Sequence, residues 1–167
     1  MPPHHHSGVQ TMPSRQRRTG GGLKRLALAG FGLALFGFLA IQTIPVPLEN
    51  PPVLSEPNWD SPQTRALAER ACFDCHSNHT NWPWYARVAP VSWLVAHDVY
   101  EARSELNFTE WYEVDDEGWR PGEMAEEIYD GDMPPLRYLL MHPEARLTPE
   151  EKQALAEGLN ATLAASP

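Results

Sequence analysis

Hydrophobic positions form one unbroken block near the start of the chain and only scattered stripes after it. Between Leu26 and Ile44 no residue is charged, and as an α-helix this block would span about 28 Å, close to the hydrocarbon thickness of a bilayer. All cations before Glu49 lie N-terminal to the block. They are Arg15, Arg17, Arg18, Lys24 and Arg25. We therefore predict a basic N-terminus over residues 1–25 and one transmembrane anchor over residues 26–44.

The position of these cations also predicts how the chain crosses the membrane. By the positive-inside rule, residues 1–25 stay in the cytoplasm and the chain after Pro45 lies on the other side. This orientation predicts a single-pass inner-membrane protein whose following domain is periplasmic. A cleaved signal peptide is the alternative. The apolar block is long for one, however, and no small-x-small cleavage site follows it.

After the block, the pattern predicts a small helical domain. Five prolines between residues 45 and 58 predict an extended spacer, because each fixes its own φ and disfavours helix in the residue before it. Apolar stripes and capping residues then predict helices, whereas no stretch alternates as a strand does. The predicted helices run from Ser61 to Cys72, from Val91 to Leu106, from Gly122 to Tyr129 and from Thr148 onwards. Residues 59–165 are therefore predicted to form one all-α domain.

Charge is distributed as unevenly as hydrophobicity. All 22 acidic residues follow Leu48, where eight Lys and Arg oppose them, so this part of the chain has a formal charge of about −14. Such a surface repels the phosphates of nucleic acids, which excludes nucleic-acid binding. It favours protein partners that have a basic docking surface, and the alternative is that the acidity only keeps the domain soluble.

Cys72-Phe73-Asp74-Cys75-His76 is the C-x-x-C-H arrangement of c-type haem attachment, and it contains the only two cysteines of the chain. Three residues apart near a helix end, the two thiols project to one side, where they can add to the two vinyl groups of one porphyrin. The next residue, His76, then presents its imidazole to the iron. The motif predicts one covalent haem c with His76 as its proximal ligand.

Two other uses of a C-x-x-C pair fit this sequence less well. Redox-active pairs usually follow a strand and begin a helix, whereas Cys72 is predicted to end one. A zinc site requires further ligands at matching spacing, and only His79, His97 and His142 remain in the outward domain. A disulfide or a metal site stays as the alternative to haem.

Met133 is the predicted distal ligand of the iron. It lies in Gly131-Asp132-Met133-Pro134-Pro135, where the prolines favour an extended loop that can support a thioether, and 57 residues separate it from His76. His142 ranks second, because it lies at a helix end before Pro143. An empty sixth position is the third option.

The other methionine and histidine residues of the outward domain are predicted to be structural. Met124 and Met141 fall in predicted helices and are expected in the core. His97 is expected to be a hydrogen-bonded residue within a helix. His79 is too near His76 in sequence to reach the opposite face of the iron.

Two residues that follow the motif are candidates for contact with the cofactor, and for the aromatic cluster after the motif ordinary packing in the core is the alternative. Trp84 belongs to an aromatic cluster, and its indole N–H could donate to a haem propionate. The guanidinium of Arg87 could do the same with a stronger, charge-assisted hydrogen bond.

Several short motifs resemble the bacterial haem-binding domain family of small, membrane-anchored, cytochrome-like proteins. Together they cover most of residues 54–160. The motifs are ACFDCHSN at 71–78, WPWY at 82–85, VAPVSWL at 88–94, LNF at 106–108, MP at 133–134 with Tyr138, and HPEARL at 142–147. The resemblance implies a cytochrome c-like α fold with one covalent haem. It also implies Cys72 and Cys75 as attachment residues, His76 as the proximal ligand and Met133 as the distal one.

These expectations favour an electron carrier over a catalyst. A His/Met ligand pair gives a relatively high potential, because the thioether stabilises the reduced metal. One alternative is a haem-based sensor or peroxide-handling enzyme with an open or displaceable sixth ligand. The other is a haem subunit of a larger oxidoreductase. No His and Arg pair that would serve peroxide chemistry is recognisable in the sequence.

Overall fold

Helices account for the regular structure of the protein. The computed structural model describes residues 20–111 and 122–165, which form two compact units, one ending at Thr43 and the other beginning at Ile44. Within these two ranges there is no strand, and β-type pairing is limited to an isolated bridge between Ser55 and Glu110. The prediction of an all-α fold is confirmed.

The first unit contains helix α1, Gly20–Ile41. Its residues from Gly21 onwards have a mean hydropathy of 1.6, and none of that stretch is buried. By length and composition α1 can cross a membrane, although a signal sequence satisfies the same criterion. The helix begins before the predicted residue 26 because it continues through Lys24 and Arg25, which are good helix formers. Most of the predicted basic segment, residues 1–19, lies outside the described ranges.

The second unit contains helices of very different lengths. In chain order they are α2 (Pro62–Ala71), α3 (Phe73–His76), α4 (Val91–Glu105), α5 (Glu123–Asp130), α6 (Leu136–Leu139) and α7 (Pro149–Ala164). Two single 3-10 turns, Trp84–Arg87 and Pro143–Ala145, are added to these. The longer helices α2, α4, α5 and α7 match the four predicted from the sequence. Among the shorter elements, only a helix that contains Met141 and ends at His142 was indicated, and α6 ends earlier, at Leu139.

The ends of the longer helices are fixed by local hydrogen bonds. At the start of α2, the side chain of Ser61 accepts from the backbone N–H of Thr64 at 3.2 Å. At the start of α7, Thr148 and Glu151 form the predicted capping box, each side chain bonding the other residue's backbone N–H. Helix α5 ends at Gly131, whose φ of 83° lies in the left-handed region that glycine adopts without strain.

The hydrophobic core lies where α7 packs against α2 and α5. Leu155 of α7 is fully buried in it, as is Phe108 of the loop after α4. Phe73, from the cysteine motif itself, stacks on Phe108 with ring centroids 5.7 Å apart. Met124 is 4% exposed, which confirms its prediction as a core residue. The motif is therefore attached directly to the core through one of its own residues.

The proline-rich segment after α1 begins the second unit and lies against α4 and the loop that follows α4. The carbonyl of Pro47 accepts from the Tyr100 hydroxyl at 2.8 Å, and that of Glu49 accepts from Arg103 at 3.0 Å. Further along, the backbone N–H groups of Leu54 and Ser55 both donate to the carbonyl of Thr109. The segment is extended, as the prolines predict, but its backbone is bonded to α4 and to the loop that follows it.

Candidate functional site

The cysteine motif occupies the junction between α2 and α3. Cys72 ends α2 with its backbone N–H on the carbonyl of Ala68 at 2.8 Å, and it also precedes the first residue of α3. The N–H groups of Cys75 and His76 return to the carbonyl of Cys72 at 3.1 and 2.9 Å. One tight turn thus holds both thiols and the imidazole, with Cys72 at a helix end as predicted.

The two cysteines are free thiols whose surroundings favour the protonated form. Each keeps part of its surface exposed, but burial of the sulfur raises the pKa of Cys72 to about 12. Burial, followed by the charges of Asp74 and Asp98, raises the pKa of Cys75 to about 11. Redox-active C-x-x-C pairs instead stabilise a thiolate with a lowered pKa. The environment therefore does not suit disulfide exchange.

The imidazole of His76 is held in one tautomer by the end of α4. Its Nδ1 lies 3.1 Å from the carbonyl oxygens of both Ala102 and Leu106. A carbonyl oxygen can only accept, so Nδ1 carries the proton and Nε2 keeps its lone pair. Burial also lowers the pKa of His76, which favours the neutral ring. This is the arrangement that protein metal sites use to orient a ligating histidine.

A buried polar network fixes the backbone that follows His76. The N–H of Asn78 donates to the hydroxyl of Thr109 at 2.8 Å, and the side chain of Asn107 donates to that of Asn78 at 3.0 Å. Arg103 of α4 donates to the carbonyl of Ser77 at 2.8 Å. Sequence reasoning gave none of these residues a role, because their partners are about thirty positions away in the chain and no periodic pattern marks them.

Asp74, between the two cysteines, connects the motif to α6. Its Oδ2 accepts from the hydroxyl of Tyr138 at 2.8 Å, and its Oδ1 accepts from the backbone N–H of Asn81 at 2.9 Å. Burial, followed by the neighbouring carboxylate of Asp74, raises the pKa of Tyr138. The phenol therefore stays protonated and acts as a hydrogen-bond donor.

His142, the second-ranked distal ligand, has both ring nitrogens engaged. Its Nδ1 lies 3.1 Å from the carboxylate of Glu144, and its Nε2 lies 2.8 Å from the hydroxyl of Tyr85. A carboxylate accepts, so Nδ1 donates to it and Nε2 accepts from the tyrosine. The ring also stacks on Tyr138 with centroids 4.2 Å apart. Coordination of iron by His142 would break the bond to Tyr85.

Met133 lies on the loop between α5 and α6 and is 39% exposed. Its backbone N–H donates to the carbonyl of Glu127 at 3.0 Å, and Pro135 caps the start of α6 just beyond it. The loop is thus held by a hydrogen bond to α5 before the side chain of Met133 and by the start of α6 after it. The thioether remains partly accessible to a ligand.

The other methionine and histidine residues were predicted to be structural, and the structure confirms this for some of them only. Met141 is 55% exposed in the turn after α6, so its prediction as a buried helical residue is wrong. The reason is that α6 ends at Leu139, before that side chain could turn inward. His97 lies on the exposed side of α4, 3.4 Å from the carboxylate of Glu101. His79 stacks against Phe73.

Trp84 and Arg87 lie at the two ends of one 3-10 turn, and both are exposed. The indole of Trp84 is 73% exposed and meets Tyr85 edge-on, with ring centroids 5.8 Å apart. Since Tyr85 bonds His142, this turn belongs to the same side of the domain as the segment after α6. Their predicted contact with the cofactor stays a prediction.

Apolar side chains remain exposed on the elements that surround the motif. Leu136 begins α6, Leu140 follows its last residue, and Leu94 lies one helical turn before Asp98 on α4. The two helices are joined by Arg137 and Asp98, whose Nε and Oδ2 are 3.0 Å apart. Exposed apolar side chains of this kind lose contact with water when a planar apolar group such as a porphyrin binds against them.

The donor set also fits haem better than a bare metal ion. In the ranges that the structure describes, no group of three or more His, Cys, Asp or Glu is arranged around a common metal position. A porphyrin brings four nitrogen ligands of its own, so a single imidazole lone pair beside two thiols is sufficient for it.

The fold and the site therefore define a small helical domain with a C-x-x-C-H turn, preceded by a helix that can span a membrane. The sequence model of the haem-binding domain family matches residues 36–161, and the chain belongs to this family. No curated protein and no solved structure matches the chain. Membership in the family makes this a haem protein.

Proposed function

We propose that this protein is a membrane-anchored c-type cytochrome that transfers single electrons on the outer face of the inner membrane. One haem is attached covalently to Cys72 and Cys75 and ligated by His76. The observation that carries the proposal is the position of the His76 ring. Its Nδ1 is bonded to two backbone carbonyls, so its Nε2 lone pair is available beside the two thiols.

The chain's own residues perform two tasks in this proposal, which are to attach the haem and to orient its histidine ligand. Cys72 and Cys75 would hold the haem through two thioethers, each formed by addition of an S–H group across one vinyl group. The carbonyls of Ala102 and Leu106 keep the His76 ring oriented and increase its basicity. Bound haem supplies the redox chemistry, because its iron accepts and releases one electron.

Met133 is proposed as the sixth ligand. Its side chain is partly exposed on a loop attached at both sides, whereas His142 would have to give up a hydrogen bond of 2.8 Å to Tyr85. A thioether ligand favours the ferrous state and hence a relatively high potential. A carrier with both axial positions filled needs no room for a substrate at the iron.

The location and the partners are part of the same proposal. Helix α1 supports an anchor in the inner membrane, and the cations before and within its first turns support a periplasmic haem domain by the positive-inside rule. The acidic surface of the chain after Leu48 supports redox partners with a basic docking face.

The proposal is tested by expressing the full chain in a bacterium that matures c-type cytochromes. We expect pigment that stays with the protein in acidic acetone and a mass increase of one haem on the peptide containing Cys72 and Cys75. The variants Cys72→Ala and Cys75→Ala should each retain at most one thioether bond, and His76→Ala should lose the six-coordinate spectrum.

His97→Ala is the matched control for His76→Ala, because it removes an exposed imidazole from the same unit. It should leave pigment and spectrum unchanged. Extraction of the pigment from the wild type by acidic acetone would overturn covalent attachment. A haem protein whose spectrum is indifferent to His76→Ala would overturn the proximal assignment.

A further inference from the structure

Both carboxylate oxygens of Asp74 accept hydrogen bonds from segments outside the cysteine motif. One oxygen accepts from the backbone N–H of Asn81 in the loop that follows, and the other accepts from the hydroxyl of Tyr138 on α6. Asp74 lies between two residues that attachment to the porphyrin would immobilise. A group bonded to Asp74 is therefore held at a fixed place relative to the haem.

Helix α6 depends on such bonds for its position. It has only four residues, and an isolated helix of that length is not stable in water. Besides a longer bond of 3.4 Å from Arg146 to the carbonyl of Leu139, short side-chain contacts to other segments hold the helix and the turn after it. These join Tyr138 to Asp74 at 2.8 Å, Arg137 to Asp98 at 3.0 Å, and His142 to Tyr85 at 2.8 Å.

These contacts differ in strength. Arg137 is 62% exposed in its side chain, and an ion pair that water reaches so easily contributes little. The bond from Tyr138 is more protected and has an ionised acceptor, which makes it one of the stronger kinds of hydrogen bond. The ring of Tyr138 also stacks on His142, which takes part in the third contact.

We propose that Tyr138 is a positioning residue, which holds the loop that carries Met133 in place through its hydrogen bond to Asp74. Pro135, at the start of α6, is two residues after Met133. A displacement of α6 therefore moves the thioether. The inference rests on the proposed function, since it takes Met133 as the distal ligand.

The test compares two tyrosine variants of the full-length haem protein. Tyr138→Phe removes only the hydroxyl and keeps the ring that stacks on His142. Tyr100→Phe is the matched control, because it removes a hydroxyl whose bond of 2.8 Å goes to Pro47 on another side of the same unit. Carbon monoxide must displace the thioether to bind ferrous iron, so its binding rate reports how firmly the ligand is held.

Loss of a hydrogen bond to a charged group should increase the rate of carbon monoxide binding about tenfold or more in Tyr138→Phe. In the ferric protein, a near-infrared absorption band reports the bond between a methionine sulfur and the iron. On heating, this band should disappear at a lower temperature in Tyr138→Phe than in the wild type. Amide exchange over residues 131–142 should be faster in Tyr138→Phe, and Tyr100→Phe should resemble the wild type in all three measurements.

A double-mutant cycle with Asp74→Ala identifies the bond itself. If Tyr138 acts through Asp74, the double variant should be no worse than Asp74→Ala alone. Additive effects would overturn the inference, as would a Tyr138→Phe variant that matches Tyr100→Phe. A wild type without the sulfur-to-iron band would instead overturn the proposed distal ligand, which is a separate failure.

Discussion

The proton on Nδ1 of His76 is the smallest feature with a direct chemical consequence. Two carbonyl oxygens at 3.1 Å hold it, and the ring therefore offers Nε2 as a neutral donor. The sequence identified the residue, because the C-x-x-C-H spacing is specific. It could not identify the tautomer, since the two carbonyls come from Ala102 and Leu106, which lie 26 and 30 residues further along the chain.

The identity of the sixth ligand leads to a prediction on two substitutions. Met133→Ala should abolish the sulfur-to-iron charge-transfer band of the ferric protein and let it bind cyanide at once, because the thioether is lost. His142→Ala should keep the band, since that ring is bonded to Tyr85 and Glu144. Near-infrared absorption of both variants checks this. A wild type that is already high-spin and binds carbon monoxide at once would favour a sensor or a peroxide-handling enzyme.

The carboxylate of Glu56 leads to a prediction on acid stability. Hydrogen bonds from Arg65 at 2.8 and 2.9 Å, and a weaker one from Trp59, hold the pKa of Glu56 below its ordinary 4.5. The ionised form is favoured in the folded state, so its stabilisation is complete above about pH 4.5 and is lost as the pH falls through the lower folded value.

Glu56→Gln should therefore lower the free energy of unfolding by about 1 kcal/mol at neutral pH, a modest value because water still reaches the pair. The difference from the wild type should shrink as the pH approaches 3. Urea titrations at several pH values measure it, with the exposed Glu126→Gln as the control. A difference that is constant with pH would contradict the assignment.

Single residues also mark where sequence reasoning succeeded and failed. Met124 was placed correctly because it lies on the apolar side of an amphipathic helix with a clear end at Gly131. Met141 was misplaced because its helix stops at Leu139 after a single turn, and a pattern needs at least two turns to be recognised. The distinction lies in element length, not in residue type.

Helices with chemical signals at their ends were predictable from sequence. Ser61 before a proline and the Thr148/Glu151 box both appear in the structure as the pattern indicated. The short α6 was not, because its position depends on Tyr138 and Arg137, whose partners belong to distant segments. Much of the site is built from such elements, which explains why its residues were easier to predict than its geometry.

The packing of α7 on α2 leads to a prediction on one glycine. Gly158 is buried, and a β-carbon there would overlap the side chain of Thr64. Gly158→Ala should therefore destabilise the domain by about 1–3 kcal/mol through overpacking, even though alanine is the better helix former. Thermal unfolding measures the loss.

Thr64→Ala supplies the control for this overlap, because it removes the two closest atoms that the new methyl group would meet, Oγ1 and Cγ2 of Thr64, and keeps only the β-carbon. In the double variant, Gly158→Ala should cost less than it does alone, which is the sign of a direct clash. A Gly158→Ala protein as stable as the wild type would mean that the two helices can move apart freely.

The charge distribution of the whole chain leads to a prediction on partner recognition. The part after Leu48 carries a formal charge of about −14, with 22 acidic residues against eight Lys and Arg. Oxidation of the ferrous protein by a basic soluble cytochrome should slow about tenfold or more between 10 mM and 1 M salt, as the Debye length falls from about 30 to about 3 Å. Stopped-flow mixing in a non-ionic detergent measures the rate.

Ferricyanide is the matched oxidant of opposite charge for this measurement. Its reaction should become faster with added salt, because screening reduces repulsion between two anions. If both oxidants respond in the same direction, the acidic surface does not direct the encounter, and the preference for basic partners would be wrong.

The bonds between the proline-rich segment and α4 have a practical consequence for anyone who wants to study the haem domain without its anchor. A fragment that starts at Trp59, where the spacer was predicted to end, would leave the donors of Tyr100 and Arg103 without their acceptors at Pro47 and Glu49. A fragment that starts at Ile44 keeps them. The first residue of the fragment therefore decides whether a soluble preparation keeps these hydrogen bonds of the native domain or loses them.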